Sequence, residues 1–96
     1  MHDSKFVTNI VNKLDKAIDS IGNAFVIAGI SERITCISDC THCGEWGIAF
    51  EFICSNLYEF DMPISQQTYE LLEEIGNLLK MDSKEWEILK PQVSLS

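Results

Sequence analysis

Hydrophobic residues repeat every three or four positions over most of this chain, and the clearest stretch is 45–61. In that stretch the apolar residues fall on one face of a helix: Trp46, Ala49, Phe50, Ile53, Leu57 and Phe60. The opposite side carries Glu51, Ser55 and Glu59, which are four residues apart and therefore stack on successive turns. So apolar a segment predicts the central helix of a small bundle, with its acidic strip free to contact another molecule.

Two helices are predicted before the central one. The first begins at Asp3 or Ser4, and Gly22 predicts its end because glycine readily adopts the positive φ of a helix C-cap. The short apolar segment 24–29 fits either one or two helical turns or a brief strand. Ser31 predicts the cap of a second helix of about ten residues.

Two more helices are predicted after the central one. Ser65 predicts the cap of a helix over 66–80, and Asp82 predicts the cap of a last helix over 84–90. Residues 92–96 are expected to fray. The pattern therefore predicts an all-α fold, a small single-domain bundle of about five helices.

Composition narrows the class of protein. A chain of 96 residues with 46% apolar residues makes one domain and can bury a core without metal or disulfide staples. The net charge of −8 argues against direct binding of nucleic acid or of anionic membranes, and it favours a basic protein as the partner. No basic region precedes an apolar core at the amino terminus, so a cytoplasmic protein is expected.

The charges are unevenly distributed along the chain. Between Ile34 and Leu79 there are eight acidic residues and no Lys or Arg. This window could be a solvated surface kept for solubility, or the docking surface for an electropositive partner. Apolar side chains beside the carboxylates favour the docking surface. The predicted partner-binding residues are Glu51, Glu59, Asp61, Glu70, Glu73, Glu74, Ile48, Phe52 and Tyr58.

A cluster of sulfur and imidazole groups is the main candidate for a metal site. Cys36, Cys40, His42 and Cys43 have the donor types of tetrahedral zinc. Structural zinc sites usually join two pairs of ligands, however, and no second pair is present. We therefore predict thiols without a metal. The alternative is a zinc- or thiol-responsive regulatory or adaptor domain that uses this cluster.

Candidate catalytic groups are few. Only His2 and His42 could serve as histidine bases, and the adjacent side chains of His42 and Cys43 do not face each other on a helix. No Gly-rich phosphate loop, Gly-x-Ser-x-Gly or His-Glu-x-x-His motif occurs. We therefore predict that the protein is not an enzyme and holds no cofactor.

Three stretches of the chain carry a family resemblance. They are GEWGIAFE at 44–51, LYEFDMPIS at 57–65 and YEL at 69–71. Together they resemble the core pattern of MafI-type immunity proteins, small cytoplasmic proteins similar to the CdiI immunity proteins of contact-dependent growth inhibition systems. The resemblance extends over 44–89, and the first 43 residues match no such pattern.

The resemblance implies a protein that binds and neutralises one cognate toxin domain in the cell that makes both. Toxins paired with such proteins are often ribonucleases, EndoU-like or RNase A-like. An acidic inhibitor suits such a toxin because it can cover a cationic RNA-binding or active site.

Overall fold

The computed structural model describes residues 4–94, and helices account for most of that range. Its five α-helices are α1 (Ser4–Ile27), α2 (Glu32–His42), α3 (Trp46–Glu59), α4 (Gln66–Leu78) and α5 (Lys84–Glu87). The predicted all-α fold of about five helices is confirmed. None of the helices in this range has the length and hydropathy that crossing a bilayer requires.

The first helix does not end at Gly22. It continues to Ile27, because Phe25 extends the apolar face of the helix by one turn and is completely buried. Gly22 lies inside the helix, and the glycine with positive φ that follows α1 is Gly29. The predicted stop is therefore wrong, and the segment 24–29 supplies the last helical turn and the turn after it, not a strand. Asp3, one of the two predicted starting residues, lies outside the described residues.

The four longer helices end in the same way. A residue with positive φ follows each helix, and the amide of the next residue donates a hydrogen bond to the carbonyl five positions earlier. The residues with positive φ are Gly29, Gly44, Asp61 and Lys80. The aspartate and the lysine adopt this conformation at a cost of about 1 kcal/mol each, because their Cβ atoms crowd the backbone.

The core lies where α1 packs against α2, α3 and α4, and α5 closes it by packing against α3 and α4. Trp86 of α5 is 3% exposed, and its ring meets the ring of Phe50 edge-on with centroids 6.1 Å apart. The same indole lies directly over Gly76, where a side chain would not fit. The burial of Trp86 therefore fixes the position of α5 on the bundle.

Two predicted core positions of α3 differ in the structure. Phe50, Ile53 and Leu57 are completely buried, as predicted. Trp46 is only half-buried, with its Nε1 donating a hydrogen bond to a backbone carbonyl of α2. Phe60 is 38% exposed, because the helix ends at Glu59 and the backbone then leaves the helical path.

The cap predicted at Ser65 is present: its Oγ accepts a hydrogen bond from the amide of Thr68 at 3.0 Å. The cap predicted at Asp82 is displaced by one residue: Ser83 occupies the N-cap position of α5 without a capping side-chain hydrogen bond, and Asp82 accepts a hydrogen bond from the amide of Lys84 at 3.0 Å. The helix that follows is shorter than the predicted 84–90, because it ends at Glu87 and is followed by a 3-10 turn, Lys90–Gln92.

The carboxyl-terminal segment is held against the bundle through residue 94. The side-chain amide of Gln92 donates to the carbonyls of Leu57 and Met62, at 2.8 Å each. The two-residue strand β2 (Val93–Ser94) then pairs in parallel with β1 (Ile64–Ser65). The predicted fraying is therefore wrong for residues 92–94, and residues 95–96 lie outside the described part of the chain.

Candidate functional site

The exposed strip of α3 has the composition that the sequence predicts. Ile48 is 53% exposed and Tyr58 is 55% exposed, while Phe52 is half-buried beside them. Glu51 and Ser55 are exposed on the same strip. Large apolar side chains surrounded by carboxylates are typical of protein interfaces, because the apolar groups lose contact with water on binding and the charges orient the partner.

An open groove of about 470 Å³ crosses this strip. Its lining residues come from α2, α3 and α5, and they are Cys40, Ile48, Glu51, Phe52, Ser55 and Glu85. The groove thus has apolar walls with one carboxylate from each of two helices. Such a groove can hold an aliphatic or aromatic side chain of a partner while the carboxylates contact a cation nearby.

The short helix α5 connects the acidic strips of α3 and α4. Burial raises the pKa of the Cys54 thiol far above its usual range, and the nearby carboxylates of Glu85 and Glu51 raise it further. Burial likewise raises the pKa of the Tyr69 phenol, with smaller contributions from Glu73 and Glu87. Glu85 of α5 also lines the groove together with Glu51 of α3, and α5 packs against both α3 and α4.

Glu85 and Glu87 are functional candidates that the sequence analysis missed. They lie just outside the window without positive charge, in a segment that also contains Lys84 and Lys90. No local pattern distinguishes them from ordinary solvated residues. Their significance comes from the packing of Trp86, which positions α5 between the two acidic strips.

The three predicted acids of α4 do not have equivalent surroundings. Glu74 forms an ion pair with Lys13 of α1, with 2.5 Å between the charged atoms. Glu70 accepts a hydrogen bond from the side chain of Gln66 at 3.0 Å. Only Glu73 makes neither kind of contact within residues 4–94. Glu74 therefore contributes least to a surface for an external cation, because its charge is already paired.

Most of the remaining acids on this side lack a cationic neighbour. Within the described range the ion pairs and imidazole contacts to carboxylates are limited to Lys13–Glu74 and His42–Asp15. We call the carboxylates on α3, the turn after it, α4 and α5 that make neither an ion pair nor a side-chain hydrogen bond within residues 4–94 the unpaired acidic surface: Glu51, Glu59, Asp61, Glu73, Glu85 and Glu87. A basic partner could supply the cations that residues 4–94 do not place beside these carboxylates.

Two of these carboxylates occupy positions that do not favour stability. Glu59 is the last residue of α3, and Asp61 follows it after one residue. The carboxyl-terminal end of a helix carries partial negative charge, so acids are unfavourable there and cations are favourable. Asp61 also has a φ of 49°, a conformation that glycine adopts more easily. Neither acid is explained by stabilisation of the helix.

The cysteine and histidine cluster does not converge on one point. His42 Nε2 lies 3.1 Å from Asp15 Oδ1 of α1, so its imidazole contacts α1. Cys36 and Cys43 are exposed, whereas Cys40 is half-buried at the groove. Within residues 4–94, no three His, Cys, Asp or Glu side chains are grouped as metal ligands.

Thiol reactivity should separate these cysteines. We expect Cys36, Cys40 and Cys43 to react rapidly with an aromatic disulfide reagent in the native protein. Cys54 is 1% exposed and should react only on unfolding, because it is inaccessible and because burial disfavours its thiolate. The measurement is the number of reacting thiols in native and in denatured protein. Cys54→Ala should leave the rapid native count unchanged, and rapid reaction of all four thiols would contradict the expectation.

Comparison of this chain with protein-family models, with curated proteins and with solved structures gave no significant match.

Proposed function

We propose that this protein is an immunity protein that binds and neutralises a cognate toxin domain through the unpaired acidic surface. The observation that carries the proposal is the combination of six carboxylates that make neither an ion pair nor a side-chain hydrogen bond within residues 4–94 and a groove with apolar walls. The proposed partner is a basic nuclease domain, most simply a ribonuclease of the EndoU-like or RNase A-like kind. The acidic surface would cover its RNA-binding or active site.

The charges and the groove serve different steps of binding. Unpaired carboxylates attract a cationic domain from a distance and can raise its association rate from about 10⁵–10⁶ M⁻¹s⁻¹ to about 10⁸ M⁻¹s⁻¹ at low salt. Apolar anchors such as Ile48 and Phe52 act after contact, because burying them against the partner slows dissociation. An inhibitor that must capture a toxic nuclease quickly benefits from both steps.

The family resemblance also supports this proposal. The three stretches that resemble MafI-type immunity proteins coincide with α3, the turn into β1 and the first part of α4. These elements carry Glu51, Glu59 and Asp61 of the unpaired acidic surface. The stretches that carry the resemblance therefore include half of the unpaired acidic surface.

The proposed set of binding residues omits two acids of the sequence prediction and adds two others. Glu70 and Glu74 are left out because they already contact Gln66 and Lys13. Glu85 and Glu87 are added because Glu85 lines the groove and because α5, which carries both, packs against α3 and α4. The apolar members are unchanged: Ile48, Phe52 and Tyr58.

Reversing three charges of this surface should slow toxin binding. We expect the triple variant Glu51→Lys, Glu73→Lys and Glu87→Lys to associate about 10–10³ times more slowly at low salt, because electrostatic attraction is replaced by repulsion. The association rate is expected to depend less steeply on salt than that of the parent. The measurement is association and dissociation rates, at two ionic strengths, with the toxin domain encoded beside the gene.

A matched control has the same change in net charge at other exposed positions: Asp19→Lys, Glu32→Lys and Asp39→Lys. The association rate of this control should be only slightly lower than that of the parent, because only the net charge has changed. The control should still protect cells that express the toxin. If the two triple variants are folded and equally slow, the location of the acids is irrelevant and the proposed surface is wrong. If neither variant nor parent binds a neighbouring toxin, the proposed function is wrong.

A further inference from the structure

Arg33 differs from the other basic residues of the protein. It is the only Lys or Arg between Lys16 and Lys80, and it is half-buried in the first turn of α2. No carboxylate within residues 4–94 lies within ion-pair distance of its guanidinium. A half-buried arginine usually has an anionic partner, because removing a charge from water is unfavourable unless another charge compensates.

The guanidinium is instead held by neutral groups. Its Nη1 donates a hydrogen bond to the side-chain oxygen of Asn56, which is 1% exposed. Asn56 is itself fixed, because its side-chain nitrogen donates to the carbonyl of Phe52 at 2.7 Å. The Arg33 Cζ atom lies 5.3 Å from the centre of the Phe60 ring. These contacts hold the guanidinium in place, and neither of its two partners supplies a negative charge.

This arrangement is not explained by stabilisation of α2. The first turn of a helix carries partial positive charge, so an arginine there is unfavourable and an acid is favourable. The buried amide of Asn56 also costs free energy unless it is hydrogen-bonded, and a leucine could fill the same position in the core. The combination of Arg33, Asn56 and Phe60 therefore suggests a group prepared for an anion that residues 4–94 do not place within ion-pair distance.

Exposed apolar residues occur at the same end of the bundle. Here α1 ends, α2 begins and α3 ends, as the contacts of Arg33 with Asn56 and Phe60 require. Val26 and Ile27 in the last turn of α1 are 61% and 78% exposed, and Phe60 is 38% exposed. An arginine held in place near apolar side chains has the character of a binding hot spot, where arginine and aromatic residues are enriched.

We infer that Arg33, held by Asn56 and Phe60, binds an Asp or Glu side chain of the toxin domain that the proposed function assigns as partner. A guanidinium offers parallel N–H donors that match the two oxygens of a carboxylate. The occupant is a protein carboxylate in preference to a free phosphate, because a protein surface can also cover the exposed apolar side chains of Val26, Ile27 and Phe60 at this end of the bundle.

The contact between Arg33 and a carboxylate of the toxin domain would contribute to the specificity of binding. The unpaired acidic surface attracts basic domains in general, so by itself it discriminates poorly among cationic nucleases. An arginine that requires a carboxylate at one place on the partner rejects domains with a cation or an apolar group there. Binding of one acid at this end and of several cations at the acidic surface also sets the orientation of the complex.

The discriminating variant is Arg33→Lys, which retains the positive charge and can still donate a hydrogen bond to Asn56. We expect its thermal midpoint to stay close to that of the parent and its affinity for the neighbouring toxin domain to fall at least about ten-fold, because lysine lacks the paired donors of a guanidinium. A second variant, Phe60→Leu, removes the aromatic ring that contacts the guanidinium of Arg33, and Phe60 is an exposed residue. Without the ring that orients the guanidinium, binding should weaken by about two- to five-fold. Lys16→Gln is the control and should bind nearly like the parent.

The outcomes separate this inference from the proposed function. If the acidic triple variant loses binding while Arg33→Lys and Phe60→Leu bind like the parent, Arg33 has only a structural role and the inference is wrong. If both kinds of variant lose affinity and Lys16→Gln does not, the inference holds. If Arg33→Lys melts at a much lower temperature, the Phe60→Leu affinity decides. If the parent binds no toxin, the proposed function and the inference are both overturned.

Discussion

Replacing Gly76 by Ala should lower the free energy of unfolding by about 3 kcal/mol, although alanine is the better helix former. Gly76 lies in α4 under the indole of Trp86, and a Cβ atom there would come within 3.0 Å of Cη2 and closer still to Cζ3 and Cε3. These atoms belong to a buried ring that also packs on Phe50. The ring therefore cannot move aside without opening the core.

The matched control is Gly22→Ala in α1. Gly22 is also inside a helix, but no atom of a neighbouring element lies within 4 Å of a Cβ built there. This variant should raise the free energy of unfolding by about 1 kcal/mol, because alanine loses less backbone entropy than glycine on forming a helix. Chemical denaturation of both variants measures the difference. Equal stabilisation by the two substitutions would show that Trp86 does not pack on Gly76.

Removing the side chain of Phe50 should have the largest effect of any single truncation in α3. Phe50→Ala is expected to cost about 3–5 kcal/mol, because it empties a fully buried aromatic position and removes the ring that meets Trp86. Natural domains are stable by about 5–15 kcal/mol, so the substitution should remove a large fraction of the total stability. Denaturant midpoints with unchanged slopes would measure the loss.

Phe60→Ala provides the comparison on the same segment. Phe60 is 38% exposed, and its loss removes only partial burial and the contact with Arg33, so a cost of about 1 kcal/mol is expected. The helical spacing places both residues on one buried face, whereas the structure separates them. A larger loss of unfolding free energy for Phe60→Ala than for Phe50→Ala would contradict the burial seen in the structure and favour the face predicted from the apolar spacing.

These variants also connect stability with the site. Trp86 holds α5 against α3 and α4, and α5 carries Glu85 and Glu87. Loosening the indole by Gly76→Ala would therefore displace two carboxylates of the unpaired acidic surface. Loss of toxin binding in that variant has to be compared with its loss of stability before it is assigned to the surface itself.

The sequence alone was sufficient to predict the helices and their main faces. The apolar spacing correctly assigned Phe50, Ile53 and Leu57 to the core and Ile48 and Glu51 to the surface. This succeeds because the spacing of apolar residues along a helix directly reflects which side is covered. The cap at Ser65 was also predictable, since its hydrogen bond to Thr68 spans only three residues.

The glycines indicated that α1 ends in this region, but not at which glycine. Gly22 and Gly29 both have the freedom to end α1, and the chain uses Gly29. The choice depends on Phe25, because its complete burial offsets the free-energy cost of ordering one further turn of helix. That burial depends on the elements packed around it, which local spacing does not describe. Freedom to adopt a positive φ permits a helix to end but does not require it.

Only the tertiary structure decided which charges are available. Glu74 is paired with Lys13, 61 positions away in the chain. Arg33 instead contacts a buried amide 23 positions away, and no carboxylate of residues 4–94 forms an ion pair with it. The acids of α5 reach the site because Trp86 packs on Gly76. A one-dimensional pattern records the sign of each charge. The distance to a compensating charge depends on how separate helices pack, because electrostatic interactions act through space and not along the chain.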